Sequence, residues 1–149
     1  MRRFLVATFT VSALALAACG TDEGAGQPAA AGGADTTVAT ATACTEAMAL
    51  SKAGATAFEE GIDNLLKVAL EGDDVKADAA EKEFRATLAA WADRLAELSG
   101  EPVAEDVKAA LTETAATVQK IADPADSTPI NAATQQLAGI ADKIGAACA

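Results

Sequence analysis

Apolar side chains recur at helical spacing in four successive segments that follow Cys44. In the first segment Met48, Ala55, Ile62 and Ala69 are spaced seven residues apart, and most of the charged residues fall between them. Such a stripe is typical of a helix that buries one face. The stripes of the other three segments are Ala77, Phe84, Leu88, Trp91, Leu95 and Leu98; Val103, Val107, Leu111, Thr114, Val118 and Ile121; and Ile130, Ala133, Leu137, Ile140, Ile144 and Ala147.

Helix-breaking residues separate the four stripes. Gly72-Asp73-Asp74 ends the first segment and places acids at the start of the second, and Gly100 to Pro102 ends the second. Thr128-Pro129 is typical of an N-cap followed by proline at the first helical position. Short connections make consecutive helices antiparallel, so we predict an all-α fold, an up-down-up-down four-helix bundle. The predicted helices cover about residues 45–71, 74–98, 102–123 and 129–148.

The first 19 residues have the order of an export signal. Arg2 and Arg3 precede a run from Phe4 to Ala18 that has no charged residue. The run is shorter than the ~20 residues of a membrane-spanning helix and is typical of a signal peptide. It ends in Leu16-Ala17-Ala18-Cys19. This segment resembles bacterial lipoproteins, whose lipobox reads aliphatic, small, small, cysteine.

The resemblance implies a lipid anchor on Cys19. The thiol would receive diacylglycerol with fatty acids such as palmitate, and residues 1–18 would be cleaved off as a signal peptide. Two acyl chains, at roughly 0.8 kcal/mol per buried CH₂, hold a protein stably at a membrane. The expected location is the extracytoplasmic face of the cell membrane. The alternative is an ordinary secretory signal with a cysteine at the cleavage point by chance.

Residues 20–43 contain mostly Gly, Ala, Thr and Asp and few side chains that could form a core. This composition predicts a disordered tether in residues 19–43, between the lipidated cysteine and a domain at 44–149. As a coil of 24 residues it would span roughly 25–30 Å, and fully extended about 80 Å.

The cysteines provide an independent check on the number of helices. If Cys19 is acylated, Cys44 and Cys148 remain in an oxidising compartment that favours a disulfide. They lie at the start of the first predicted helix and the end of the last. These two ends of an antiparallel bundle meet when the number of helices is even, as it is for four. Free or intermolecular thiols are the alternative.

Composition argues against several classes of function. From Cys19 onward 22 acidic residues face 9 basic ones, so the side chains carry a net charge of −13 that repels nucleic acids. The chain has no histidine, which removes the most frequent general base and transition-metal ligand. We find no phosphate-binding loop, nucleophile elbow or haem-attachment motif. An enzyme and a bound cofactor are therefore not expected.

Two features could form a metal-binding or ligand-binding site, but each has a simpler explanation. Two acidic clusters could bind Ca²⁺: Glu59-Glu60 with Asp63, and Asp73-Asp74. Their spacing is not that of an EF-hand. We therefore interpret them as solvated surface and predict no metal site. Trp91 could stack on a ligand, but it continues the apolar stripe and is expected in the core.

The predicted helix lengths suggest one surface of interest. The first two helices are longer than the last two, so their hairpin should extend beyond the others by roughly one turn or slightly more. Leu66, Val68, Leu70 and Val75 lie near its tip and are a candidate contact patch.

The chain has a lipobox, a tether and a helical domain with a cysteine at each end. This order is similar to that of small exported lipoproteins of high-GC Gram-positive bacteria. The resemblance implies no particular function. We expect a membrane-tethered, non-catalytic protein that binds a protein or a cell-envelope component. The alternative is a carrier that holds a small apolar ligand between its helices.

Overall fold

A computed structural model describes residues 33–149. The predicted signal peptide, the lipobox and Cys19 lie outside the described residues. Within the described part the chain forms four α-helices and no strands: α1 (Gly33–Glu71), α2 (Asp74–Ser99), α3 (Glu105–Ala122) and α4 (Ile130–Ala147). The prediction of an all-α four-helix bundle is confirmed.

The helices follow one another around the bundle. Each packs against its neighbours in sequence, α4 returns to pack against α1, and α1 also touches α3 across the diagonal. Cys44 and Cys148 form a disulfide with their Cα atoms 5.9 Å apart. The bond joins α1 to the end of α4, as the even number of antiparallel helices predicted.

Most of the residues in the predicted apolar stripes form one core. Leu88, Leu95, Leu111, Val118 and Ile144 are almost completely buried. Trp91 is buried in the same cluster, which confirms its expected core position. Burial of a Leu or Val side chain contributes roughly 1.5–3 kcal/mol, so these stripes hold the four helices together.

Two glycines on α1 set how closely it approaches α2. A Cβ atom at Gly54 would lie 2.3 Å from the Trp91 ring, and one at Gly61 would lie 2.2 Å from the Phe84 ring. The two glycines and the two aromatic residues are each seven positions apart, so the same contact repeats two turns along the helix pair. Glycine is needed at both positions because any side chain would displace an aromatic ring.

The first helix begins earlier than the sequence analysis predicted. Residues 33–43, assigned to the tether, are part of α1. Ala is the best helix former, and this segment also gains tertiary contacts. Ala43 is buried, and the Thr40 hydroxyl oxygen accepts a hydrogen bond from the Ala104 N–H at 2.8 Å. The segment therefore covers the α2–α3 connection.

Two predicted helix starts also need correction. Helix α3 begins at Glu105, so Pro102 lies before its first turn. Helix α4 begins at Ile130, and its N-cap is Pro129, which provides no side-chain cap. The Thr128 hydroxyl donates to Asp126 Oδ1 at 3.0 Å and does not cap the helix. At the start of α4, the hydrogen bond from Thr128 to Asp126 replaces the capping bond that the sequence suggests.

The first turn of α2 follows its sequence signals. Gly72 has φ +70°, which glycine adopts without strain, and it ends α1. Asp73 is the N-cap of α2 and accepts a hydrogen bond from the Lys76 N–H at 3.1 Å. This tight turn sets α1 and α2 antiparallel along their full contact.

Candidate distal cleft

Helices α1 and α2 continue beyond the other two helices at the end of the bundle opposite the disulfide. Along α1 and α4, Cys44 is bonded to Cys148 and the Met48 side chain lies beside Gly145. Because both helices rise equally per residue, this pairing puts Ile130, the first residue of α4, level with about residue 63 of α1. The remainder of α1 has no α4 beside it.

Arg85 marks where α3 ends against α2. Its guanidinium donates to the backbone carbonyls of Asp123 at 2.7 Å and Ala122 at 3.5 Å. Eleven residues of α2 precede Arg85, a length of about 16 Å. We call residues 64–84, where the α1–α2 hairpin runs past the other helices, the overhang. It measures two to three turns, which is longer than the predicted one turn or slightly more.

A cavity of about 340 Å³ lies where the overhang meets the α3–α4 connection, and we call it the distal cleft. Ligand pockets in proteins begin at about 300 Å³. Its lining combines residues from all four helices and the connection: Phe58, Ile62, Leu65, Ala69, Ala77, Asp78, Glu81, Phe84, Arg85, Ile121, Asp126, Thr128, Ile130 and Ala133.

Most of the cleft lining is apolar. The rings of Phe58 and Phe84 lie with centroids 5.6 Å apart and a tilt of 45°. Phe58 is buried and Phe84 is half-buried, so Phe84 presents part of its surface to the cleft. Gly61 makes this position of Phe84 available, because a larger residue would occupy the space of the ring.

The rim of the cleft is acidic. Three carboxylates, those of Asp78, Glu81 and Asp126, face one cation, Arg85. Arg85 Nε also bonds to Glu81 Oε1 at 2.8 Å, so its charge is already partnered by a carboxylate and by the carboxyl end of α3. The chemistry of the cleft is therefore that of apolar contact with an excess of negative charge at the edge.

None of the four residues of the predicted contact patch is among those that line the cleft. Leu66, Leu70 and Val75 are exposed, by 57%, 89% and 80%, and Val68 is half-buried. Their neighbours Leu65, Ala69 and Ala77 face the cavity instead. The predicted patch and the cleft lie at the same end of the molecule, but they share no residue.

The sequence indicates one of the two contacts that Arg85 makes. A spacing of four residues on one helix favours an ion pair between Arg85 and Glu81, and the structure has this ion pair. The bond from Arg85 to the end of α3 spans 38 positions, which no local spacing reveals.

Other hollows in the described part of the chain have weaker features. One of about 330 Å³ lies between α2 and α3 and is lined by alanines and short polar side chains. Among the described residues no group of three or more acidic, cysteine or histidine side chains is placed to hold a metal ion. No described helix is both long enough and apolar enough to cross a membrane.

One ion-pair network lies at the other end of the bundle. Arg94 of α2 contacts Glu97 on its own helix and Glu46 on α1. Hydrogen bonds from Arg94 to Glu97 and then to Glu46 raise the pKa of its guanidinium above the usual value. The network links α1 and α2 at the surface and lies far from the distal cleft.

Comparisons with family models, with curated proteins and with solved structures find no match to this chain.

Proposed function

We propose that this protein is a lipid-anchored, non-catalytic binding protein on the extracytoplasmic face of a bacterial membrane, and that it binds a protein or envelope component at the distal cleft. The observation that carries this proposal is an apolar cleft at the end of the bundle remote from the beginning of α1. The lining residues Phe58 to Ala69 lie about 38–54 Å along α1 from Gly33. An anchor on Cys19 would leave this end facing away from the bilayer.

The anchor is tested by expression of the chain and of Cys19→Ala in a bacterial host with a lipoprotein pathway. We expect the unaltered chain in the membrane fraction, with an amino-terminal peptide that begins at Cys19 and carries diacylglycerol. Cys19→Ala should appear in the soluble exported fraction. An unmodified Cys19 in the exported chain would contradict the anchor.

The cleft is tested with a neutral alkyl diazirine, a photoprobe that labels the residues around an apolar binding site. The full chain is reconstituted in phosphatidylcholine nanodiscs, and labelled residues are mapped by mass spectrometry. We expect labels on the cleft lining. Ala69→Trp should reduce them by filling the cavity, and Ala109→Trp, on an exposed face of α3, should not. Equal labelling of both variants would contradict the proposal.

A second candidate function is transport or storage of a small apolar ligand. The Phe58–Phe84 pair in a cavity of about 340 Å³ favours it, since aromatic walls and this volume suit a small molecule. Native mass spectrometry of the purified chain distinguishes the two functions. A carrier should retain a ligand of constant mass that Ala69→Trp abolishes, whereas a module that binds a macromolecule should not.

A further inference from the structure

The apolar and the charged residues of the distal cleft come from different elements. Every α1 residue in the lining is apolar, and the Phe84 ring continues this surface. All the charged residues in the lining belong to α2 or to the α3–α4 connection. Asp78, Glu81 and Arg85 are three and four positions apart, so they lie on one side of α2. The cleft therefore has an apolar wall and a charged wall.

The charged wall has more carboxylates than its one cation neutralises. Arg85 is bonded to Glu81 and to the carboxyl end of α3. Asp78 and Asp126 have no ion-pair partner within the described part of the chain. Asp126 is half-buried and accepts a hydrogen bond from the uncharged Thr128 hydroxyl at 3.0 Å. Two carboxylates thus remain without a cation at the edge of an apolar cavity.

This distribution of charge favours a cationic ligand. A carboxylate beside an apolar surface loses part of its hydration, and a ligand cation that bonds to it compensates for this loss. A ligand with a carboxylate of its own, such as a fatty acid, would be repelled by Asp78 and Asp126. It would also find the guanidinium of Arg85 already bonded.

The volume of the cleft limits the size of the ligand. A cavity of about 150 Å³ in another protein holds one benzene molecule, so the distal cleft, at about 340 Å³, has room for an apolar body of about two rings. A ligand of this size needs no contact with the exposed residues Leu66, Leu70 and Val75, none of which lines the cleft.

We propose that the distal cleft binds a compact apolar molecule that carries one protonated amine. The apolar body lies against Leu65 and Phe84, and the amine bonds to the carboxylates of Asp78 and Asp126. This inference rests on the proposed function, because it assigns the chemical class of the component that binds at the same cleft. It also favours the second candidate function, in which the ligand is small.

The test uses three compounds that share a naphthalene ring and differ in charge at pH 7: naphthylethylamine, naphthylethanol and naphthylacetate. Each competes with the neutral alkyl diazirine for labelling of the cleft in the full chain, which is reconstituted in phosphatidylcholine nanodiscs. The free concentration that halves the labelling is measured in 50 and 500 mM NaCl. Dialysis against empty nanodiscs corrects for the compound that enters the bilayer.

We expect the amine to halve the labelling at a concentration about tenfold lower than the carboxylate and about three- to fivefold lower than the alcohol, as two weak ion pairs would give. In high salt both ratios should fall to about twofold or less, because salt screens exposed charges. Equal potency of the three compounds, or a more potent carboxylate, would overturn the inference and leave the proposed function standing. No diazirine labelling of the cleft would overturn both.

Two pairs of substitutions locate the charge effect. Asp78→Asn with Asp126→Asn should abolish the advantage of the amine over the alcohol. The potency of the alcohol should stay within about twofold, which checks that the cleft remains folded. Asp93→Asn with Asp142→Asn removes the same charge from exposed positions outside the cleft and should preserve the advantage. An advantage that survives the first pair, or that both pairs abolish, would overturn the inference.

Discussion

At the disulfide end the four helices enclose one common core, whereas at the distal end only α1 and α2 continue. Leucines illustrate the difference: Leu95, between the helices near the disulfide, has no exposed surface, and Leu70 in the overhang is 89% exposed. Both belong to amphipathic helices of the same bundle. Leu95 faces the other helices, whereas Leu70 lies on the side of α1 that carries the exposed Lys52 and Asp63. The unequal helix lengths add to this difference, because no third or fourth helix lies beside the end of the first hairpin.

The largest expected effect concerns the covalent link that closes the core end. Cys44→Ser with Cys148→Ser opens a loop whose ends are 104 positions apart. The chain-entropy model gives a loss of about 4–5 kcal/mol in the free energy of unfolding. Urea denaturation followed by circular dichroism measures it. A loss below about 1 kcal/mol would show that packing alone holds α1 to α4.

A matched pair of leucine truncations compares the two ends directly. Leu95→Ala should lower the free energy of unfolding by about 2–5 kcal/mol, because it removes contacts and leaves a cavity. Leu66→Ala, in the overhang, should change it by less than about 0.5 kcal/mol. Chemical denaturation of both variants provides the measurement. Similar losses would mean that the overhang is covered in the isolated protein.

The glycine contacts of α1 sharpen the comparison within the core. Gly54→Ala should destabilise the protein by about 1–3 kcal/mol, because its Cβ would lie 2.3 Å from the Trp91 ring. Gly139→Ala is the control: nothing lies within 4 Å of its added Cβ, and alanine favours a helix by about 1 kcal/mol. We therefore expect melting temperatures that move in opposite directions. A stabilised Gly54→Ala would refute the close approach of α1 and α2.

The smallest effect is expected at the border between the two ends. Arg85→Met removes the bonds from α2 to the last carbonyls of α3 and should cost about 1–2 kcal/mol. Arg85→Lys keeps the charge and should recover about half of this loss. Hydrogen exchange at the α3–α4 connection should increase in Arg85→Met. Unchanged exchange there would mean that Arg85 does not hold the end of α3.

The apolar stripes of the last three segments predicted the core well because helical periodicity is local, whereas in the first segment none of Met48, Ala55, Ile62 and Ala69 is fully buried. Positions such as Leu88, Val107 and Leu137 repeat at three- and four-residue intervals, and the structure buries all three. The same reasoning failed at residues 33–43, where a sequence without large apolar residues is helical and packs over the α2–α3 connection. The contact between Thr40 and Ala104 joins residues 64 positions apart, and no pattern in the first segment reveals it.

The candidate site was only partly predictable for a related reason. The tip of the first hairpin was expected to protrude, and Leu66 and Leu70 are exposed there. The lining of the cleft depends on the register of α1 against α4 and on where α3 stops against α2. A shift of one residue in this register would change which side chains face the cavity. Gly61 gave no signal of its own, although it makes room for the Phe84 ring at the cleft wall.

The sequence by itself determined that the described chain folds into four helices with defined apolar faces, because apolar residues recur at intervals of three and four residues in each segment. It also determined which two cysteines could meet, because an even number of antiparallel helices returns to its starting end. Only the tertiary structure decided how far each helix extends beside its neighbours. That length depends on contacts between distant residues, such as Arg85 with the end of α3, and it leaves the overhang uncovered and creates the distal cleft.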